Sequence, residues 1–123
     1  GGAFLFKAYF LDDLLVGFST SFINTTSFDA NYVGLDYAYN EKFDIYQRIL
    51  YDYVDEAIKA RVTELQFGRT SELIKSAVGA LPVDMTIYIK HKRSLSNLIL
   101  KNVIQSVKPS PFELRKPFKA NFK

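Results

Sequence analysis

Residues 65–75 read Leu-Gln-Phe-Gly-Arg-Thr-Ser-Glu-Leu-Ile-Lys, and the predicted secondary structure changes from strand to helix around the glycine in this stretch. Val62–Phe67 is a short run with strand character. The turn Gly68–Ser71 follows, and Ser71 can cap a short helix that reaches Val78 and stops at Gly79. A strand, a turn and a helix in direct succession are typical of folds that mix both kinds of element.

Three further strands are predicted upstream of this stretch. Phe4–Phe10 and Leu14–Ile23 are apolar runs around the turn residues Asp12 and Asp13, a pattern that favours a β-hairpin. Phe28–Tyr37 is predicted as a third strand. Gly34 lies within it, and a glycine inside a strand predicts a bulge or a close approach of the backbone.

The remaining pattern is helical, with one more strand. From Asn40, a plausible cap, apolar residues recur at three- and four-residue steps and predict an amphipathic helix of about 18 residues. Met85–Lys90 alternates as a strand, and Ser94 opens a last helix. The predicted order is β-β-β-α-β-α-β-α, a mixed α/β fold in which helices cover a mixed sheet. We expect one domain over residues 1–108 and a basic tail over residues 109–123.

Composition limits the chemistry. The chain has 123 residues, of which 48% are hydrophobic and 24% charged, so a single core can form. It has no cysteine and one histidine, which excludes disulfides, thiolate catalysis and multi-histidine metal sites, and we expect no metal. No apolar run approaches the roughly 18 residues of a spanning helix, so we expect no transmembrane segment and a cytoplasmic protein.

Charge is unevenly distributed along the chain. Residues 1–89 hold 7 basic and 12 acidic residues, whereas residues 90–123 hold 9 basic and 1 acidic. A basic C-terminal third is suited to phosphates, lipid headgroups or a nucleic acid such as tRNA. The alternative is a solvated helix face followed by a basic tail.

The segment from Glu64 to Ser71, together with Lys75, resembles the FxFGR(T/S)…K stretch of the FemAB-like acyltransferases, which have the GNAT fold. Tyr32–Tyr37 and Ala80–Val83 are similar to this family as well. The resemblance covers residues 3–107. It implies an N-acyltransferase, or the later part of one, without the first strand, the first two helices and the glycine-rich pyrophosphate loop of the GNAT fold.

The resemblance also implies partners and site residues. The donor would be an acyl-CoA or an aminoacyl-tRNA, and the acceptor would carry an amine. Lys75 is expected to stabilise a phosphate or an oxyanion, and Asp36 is a candidate general base. A turn that opens a helix also exposes backbone amides that attract anions. The expected substrate- and anion-binding residues are Gly68, Arg69, Thr70, Tyr37 and Tyr39.

Structural alternatives remain open for these residues. Arg69 can pair with Asp36 or Glu64, Lys75 can be solvated, and Asp36 can serve only as a carboxylate at a helix entry. The chain can also be a noncatalytic binding or scaffold module. In that hypothesis it forms a homo-oligomer through the exposed edge of its first strand, because unpaired edges recruit strands.

Overall fold

The computed structural model describes residues 2–68, 71–86, 88–106 and 113–118. The strands of these residues form one sheet and are β1 (Ala3–Leu11), β2 (Leu14–Ile23), β3 (Ser27–Leu35) and β4 (Glu64–Gln66). The helices are α1 (Tyr37–Phe43), α2 (Ile45–Lys59), α3 (Glu72–Ser76) and α4 (Ser94–Ser106).

The sheet is mixed and has the strand order β1-β2-β3-β4. The first three strands form an antiparallel meander, in which Phe4 lies opposite Phe22. The short strand β4 runs parallel to β3 and places Leu65 beside Phe28. A parallel neighbour needs a long crossover, and α1 and α2 provide it. The prediction of a mixed α/β fold is therefore confirmed.

Helix α2 packs on one face of the sheet and forms the core. Phe28 from β3 is fully buried and meets the Tyr53 ring edge-on, with ring centroids 5.9 Å apart. Apolar side chains that recur at helical spacing form one buried stripe along α2. Each large apolar side chain that is fully buried contributes about 1.5–3 kcal/mol to the stability of the fold. The buried apolar residues are Val16, Phe28, Ile45, Ile49, Leu50, Tyr53 and Ala57.

The single helix predicted from Asn40 is wrong, because two helices meet at Asp44. Asp44 has a left-handed backbone (φ 50°, ψ 42°), a conformation that aspartate tolerates better than most residues. Asp36 is the N-cap of α1 and accepts from the Ala38 amide at 3.0 Å. The side-chain oxygen of Asn40 accepts from the Tyr46 amide at 2.7 Å, so Asn40 caps α2 from within the preceding helix.

The strand predicted for Met85–Lys90 is wrong. None of residues 85, 86 and 88–90 belongs to a strand, and Met85 and Tyr88 are 73% and 92% exposed. Alternating residues form a strand only where a partner strand supplies hydrogen bonds, and β4, the last strand of the sheet, is only three residues long. The described order is therefore β-β-β-α-α-β-α-α, and the arrangement specific to a GNAT fold remains a proposal.

Gly34 permits a close approach within the sheet, as predicted. It lies opposite Phe18 in regular register, and a Cβ atom at this position would overlap the Phe18 ring. The irregularity in β3 lies at Asn31 and Tyr32, opposite Thr20, whose hydroxyl accepts from the Tyr32 amide at 3.0 Å. The predicted bulge is thus displaced from the glycine, which instead makes room for an aromatic ring.

No helix in the described part of the chain is long and apolar enough to cross a membrane. Part of the predicted basic tail contacts the body of the protein. The backbone amide of Arg115 donates to the hydroxyl of Ser76 at 3.0 Å, and Ser76 is almost fully buried.

Candidate functional site

A cleft of about 390 Å³ lies between β3, the start of α1, the inner stripe of α2 and the segment that leads into α3. Its walls combine apolar and aromatic side chains with amide, hydroxyl and ammonium groups. The lining residues are Ala30, Asn31, Val33, Leu35, Tyr37, Asn40, Tyr46, Leu50, Tyr53, Phe67, Gly68, Ser71, Ile74 and Lys75. The cleft thus brings together the strand end, the turn and the lysine that the sequence singled out.

Lys75 is the most unusual group in this cleft. The residue is only 7% exposed, and its ammonium donates to the Gly68 carbonyl oxygen at 3.4 Å. Burial lowers the pKa of Lys75 because it removes water from the ammonium, and the charge of Glu72 offsets part of this shift. The alternative of a solvated Lys75 is therefore wrong.

The turn before α3 explains how Lys75 reaches the cleft. Gly68 and Ser71 both have left-handed backbones, with φ of 67° and 57°, and together they redirect the chain after β4. Ser71 occupies the N-cap position, but its side chain makes no capping hydrogen bond. Helix α3 has five residues, and Lys75 lies in its last turn. The helix dipole is therefore a minor contributor. Among the described residues that line the cleft, Lys75 provides the positive charge that can attract an anion.

The other predicted site residues are distributed differently. Tyr37 lines the cleft and is 80% exposed, so it lies at the mouth. Tyr39 does not line the cleft, and its ring stacks on Phe43 with centroids 6.4 Å apart. Asp36 is exposed outside the cleft and caps α1 through its carboxylate. Arg69 and Thr70 lie outside the described residues, between the two lining residues Gly68 and Ser71.

Sequence reasoning missed the part of the cleft that α2 provides. Tyr46, Leu50 and Tyr53 are four and three residues apart, so they lie on the same face of α2. This spacing could have predicted that all three line one wall of the cleft. The hydroxyl of Tyr53 donates to the Thr20 carbonyl oxygen at 3.0 Å. Burial raises the pKa of Tyr53, so its hydroxyl stays protonated and serves as a structural donor.

Among the residues described, no three carboxylate or imidazole side chains come together in a geometry that could hold a metal ion. No protein-family profile, curated protein or solved structure matches this chain. The cleft and its buried lysine are therefore the observations from which the function is argued.

Proposed function

We propose that the cleft carries out N-acyl transfer, in which an acyl group passes from an activated donor to an amine. The observation that carries this proposal is the desolvated ammonium of Lys75 in a cleft walled by Tyr37, Tyr46 and Phe67. A cation that is partly shielded from water stabilises a nearby developing negative charge more strongly than a fully hydrated cation does. A lysine whose pKa is perturbed by burial in a cleft also marks a candidate functional site.

The chemistry needs few groups from the protein. The lone pair of the neutral amine attacks the donor carbonyl carbon, a C–N bond forms, and the carbonyl π electrons move to oxygen. The Lys75 ammonium stabilises this oxyanion. Collapse of the intermediate expels the leaving group, a thiolate from an acyl-CoA or a ribose oxygen from an aminoacyl-tRNA. The proton of the attacking nitrogen passes to the leaving group or to solvent, and an amide is released.

The cleft has suitable dimensions for part of a donor or acceptor. Small-molecule sites occupy roughly 300–1,000 Å³ and combine apolar walls with a few polar groups, and this cleft has both features. In this proposal Tyr37 borders the entrance, while Gly68, Arg69 and Thr70 hold an anionic part of the donor. Asp36 and Tyr39 are less favoured than in the sequence-based expectation because neither lines the cleft. We place the reaction in the cytoplasm, where both donors occur.

The decisive experiment offers acyl-CoA thioesters and primary amines to the chain and follows release of the CoA thiol with a thiol reagent. The protein contains no cysteine and therefore adds no background to this readout. We expect Lys75→Ala to lower turnover by at least about 100-fold, the effect of removing one oxyanion-stabilising donor. Lys59→Ala is the matched control, because Lys59 is largely exposed on α2 and outside the cleft.

Aminoacyl-tRNA is the second donor to be tested, with transfer of a labelled amino acid to the amine as the readout. Turnover by neither donor, or turnover that survives Lys75→Ala in a folded protein, would contradict the proposal. A salt-sensitive requirement for tRNA would favour the aminoacyl donor, since phosphate contacts weaken as salt rises.

A noncatalytic binding module remains the second candidate, and the position of β1 favours it. Strand β1 spans nine residues at the edge of the sheet, with β2 as its only neighbour in the described strands. An open edge of this length can accept a strand from a second copy or from another protein. An inactive protein that nevertheless associates through the β1 edge would support this candidate.

A further inference from the structure

One face of the sheet is covered by α2, and the opposite face is rich in exposed phenylalanine. We call the outward-facing residues of β1 and β2 the aromatic face. Its members are Phe4, Phe6, Ala8, Phe10, Leu15, Phe18, Thr20 and Phe22. Phe4, Phe6 and Phe10 are each more than 60% exposed, and Phe18 is 37% exposed. Large aromatic side chains gathered on one flat surface indicate an interaction surface.

The aromatic face follows from strand alternation. Leu5, Lys7 and Tyr9 point toward α2, as the 2.8 Å ion pair between Lys7 and Glu56 shows, so the intervening phenylalanines point the other way. The Phe6 and Phe18 rings stack across the two strands with centroids 5.9 Å apart. At least one pair of rings on the face is thus held in a defined stacked arrangement.

The size of the aromatic face fits a particular kind of partner. With about 200 Å² for an aromatic side chain, its exposed apolar area amounts to roughly 500 Å². If two copies bury this face against each other, the contact removes roughly 1,000 Å² in total, the lower limit of a specific interface. Two such faces together therefore just reach the area at which specific interfaces begin, which suits a weak symmetric contact.

The charges around the face narrow the choice of partner. No outward position of β1 or β2 is charged, so the face offers no cation to a nucleic-acid phosphate. Asp12 and Asp13 in the adjoining turn, and Asp29 beside Phe22 on β3, would repel anionic lipid headgroups. A flat, uncharged, apolar protein surface is the complementary partner, and the same face of a second copy has each of these properties.

We infer that two copies of this chain associate through their aromatic faces and form a sandwich of two sheets across a two-fold axis. Stacked sheets pack about 10 Å apart, which allows phenylalanine side chains of the two copies to interdigitate. Antiparallel alignment of the two copies keeps their acidic Asp12–Asp13 turns at opposite ends. The interface is isologous, since the same residues contribute from both sides.

Edge pairing through β1 is the competing geometry. Lys7 points inward from the middle of this strand and is paired with Glu56 of the same copy. Inward-pointing charges are one of the features by which natural sheets discourage edge-to-edge pairing. The face is therefore the better surface for association, and the two geometries make different predictions for an outward substitution.

Sedimentation of the 123-residue chain tests the inference. We expect a dimer at micromolar concentration, and we expect Phe6→Lys to raise the dissociation constant at least about 30-fold, as for the loss of a central aromatic anchor. Tyr51→Lys is the control, because it adds the same charge in place of an aromatic ring that is 56% exposed on α2. It should leave the dimer intact.

Circular dichroism checks that each variant retains its secondary structure, and Phe4→Lys provides a second outward substitution. A monomeric wild-type chain would overturn the inference. So would a dimer that persists in both folded phenylalanine variants, because the contact would then lie outside the aromatic face, at the β1 edge or on the exposed apolar residues of α4. Weakening by Tyr51→Lys to the same degree would move the interface to the helical side.

Discussion

The ammonium of Lys75 lies 3.4 Å from the carbonyl oxygen of Gly68, across the turn that joins β4 to α3. The contact links the only charged side chain that lines the cleft, among the described residues, to the backbone of the glycine that starts the turn. It holds the lysine in a buried position, where the ammonium loses hydration and is costly. The same arrangement that qualifies Lys75 for chemistry should therefore reduce the stability of the fold.

The first prediction concerns Lys75→Met, which keeps much of the side-chain volume and removes the charge. Burial lowers the pKa of Lys75 below the ordinary value of 10.5, so the unfolded chain holds this proton more tightly than the folded chain. At neutral pH we expect Lys75→Met to have the higher free energy of unfolding. Its advantage should shrink as pH rises through the lowered pKa toward 10.5, since wild-type stability rises wherever the unfolded state binds more protons.

Urea unfolding of both proteins across this pH range measures the difference. Lys59→Met is a suitable control, because Lys59 is exposed and paired with Asp55. An advantage of Lys75→Met that stayed constant up to pH 10.5 would show that the buried ammonium is not its source.

The second prediction separates the two roles considered for Asp36. Its carboxylate accepts from the Ala38 amide at 3.0 Å, and asparagine can make the same capping hydrogen bond. We expect Asp36→Asn to retain both stability and acyl transfer, and Asp36→Ala to lose about 1 kcal/mol of stability. Thermal unfolding and the thiol-release assay measure the two effects. Loss of turnover in a stable Asp36→Asn variant would restore Asp36 as the general base.

The third prediction concerns the junction between α1 and α2. Asn40 accepts from the Tyr46 amide at 2.7 Å, and this bond satisfies a backbone donor in the first turn of α2. We expect Asn40→Ala to cost about 1 kcal/mol, the usual effect of losing a cap. Because Asn40 and Tyr46 both line the cleft, the substitution should also raise KM for the donor. Unchanged stability would mean that water replaces the amide oxygen.

Much of the fold was predictable because local patterns control it. Strand alternation and the turn residues Asp12 and Asp13 locate the hairpin, and Gly79 ends the turn after α3 with φ of 90°. The break between α1 and α2 at Asp44 was not predictable from helical spacing. A single residue with a left-handed backbone hardly changes the three- and four-residue spacing of the apolar side chains. Met85–Lys90 was wrongly predicted as a strand because its apolar and polar residues alternate as they do in strands. Alternation in the sequence does not reveal whether a partner strand lies beside the segment.

The candidate site was predictable only in part, for a related reason. Gly68 and Lys75 are close in sequence, and one turn brings both into the cleft. Tyr46 and Tyr53 join them only because β4 runs parallel to β3 and carries the turn across to α2. Asp36 and Tyr39 lie within two residues of Tyr37 in sequence, yet helix α1 directs them elsewhere. Asp36 caps the helix, and the ring of Tyr39 stacks on Phe43.

The fourth prediction uses the contact between Gly34 and Phe18. A Cβ atom at Gly34 would overlap the Phe18 ring, so we expect Gly34→Ala to displace this ring and cost about 1–3 kcal/mol. In a Phe18→Ala background the obstacle is gone, and Gly34→Ala should be neutral or stabilising, because alanine loses less backbone entropy than glycine. A double-mutant cycle, measured by urea unfolding of the four proteins, gives the coupling.

The diagnostic outcome is that Gly34→Ala lowers the free energy of unfolding in the wild-type background but does not lower it in the Phe18→Ala background. If Gly34→Ala is equally destabilising with and without the Phe18 ring, the strain comes from the backbone of β3 and not from the ring. Phe18 also belongs to the aromatic face, where it stacks on Phe6. Gly34→Ala should therefore weaken self-association as well, although residue 34 lies on β3, and sedimentation at matched concentrations would show this second effect.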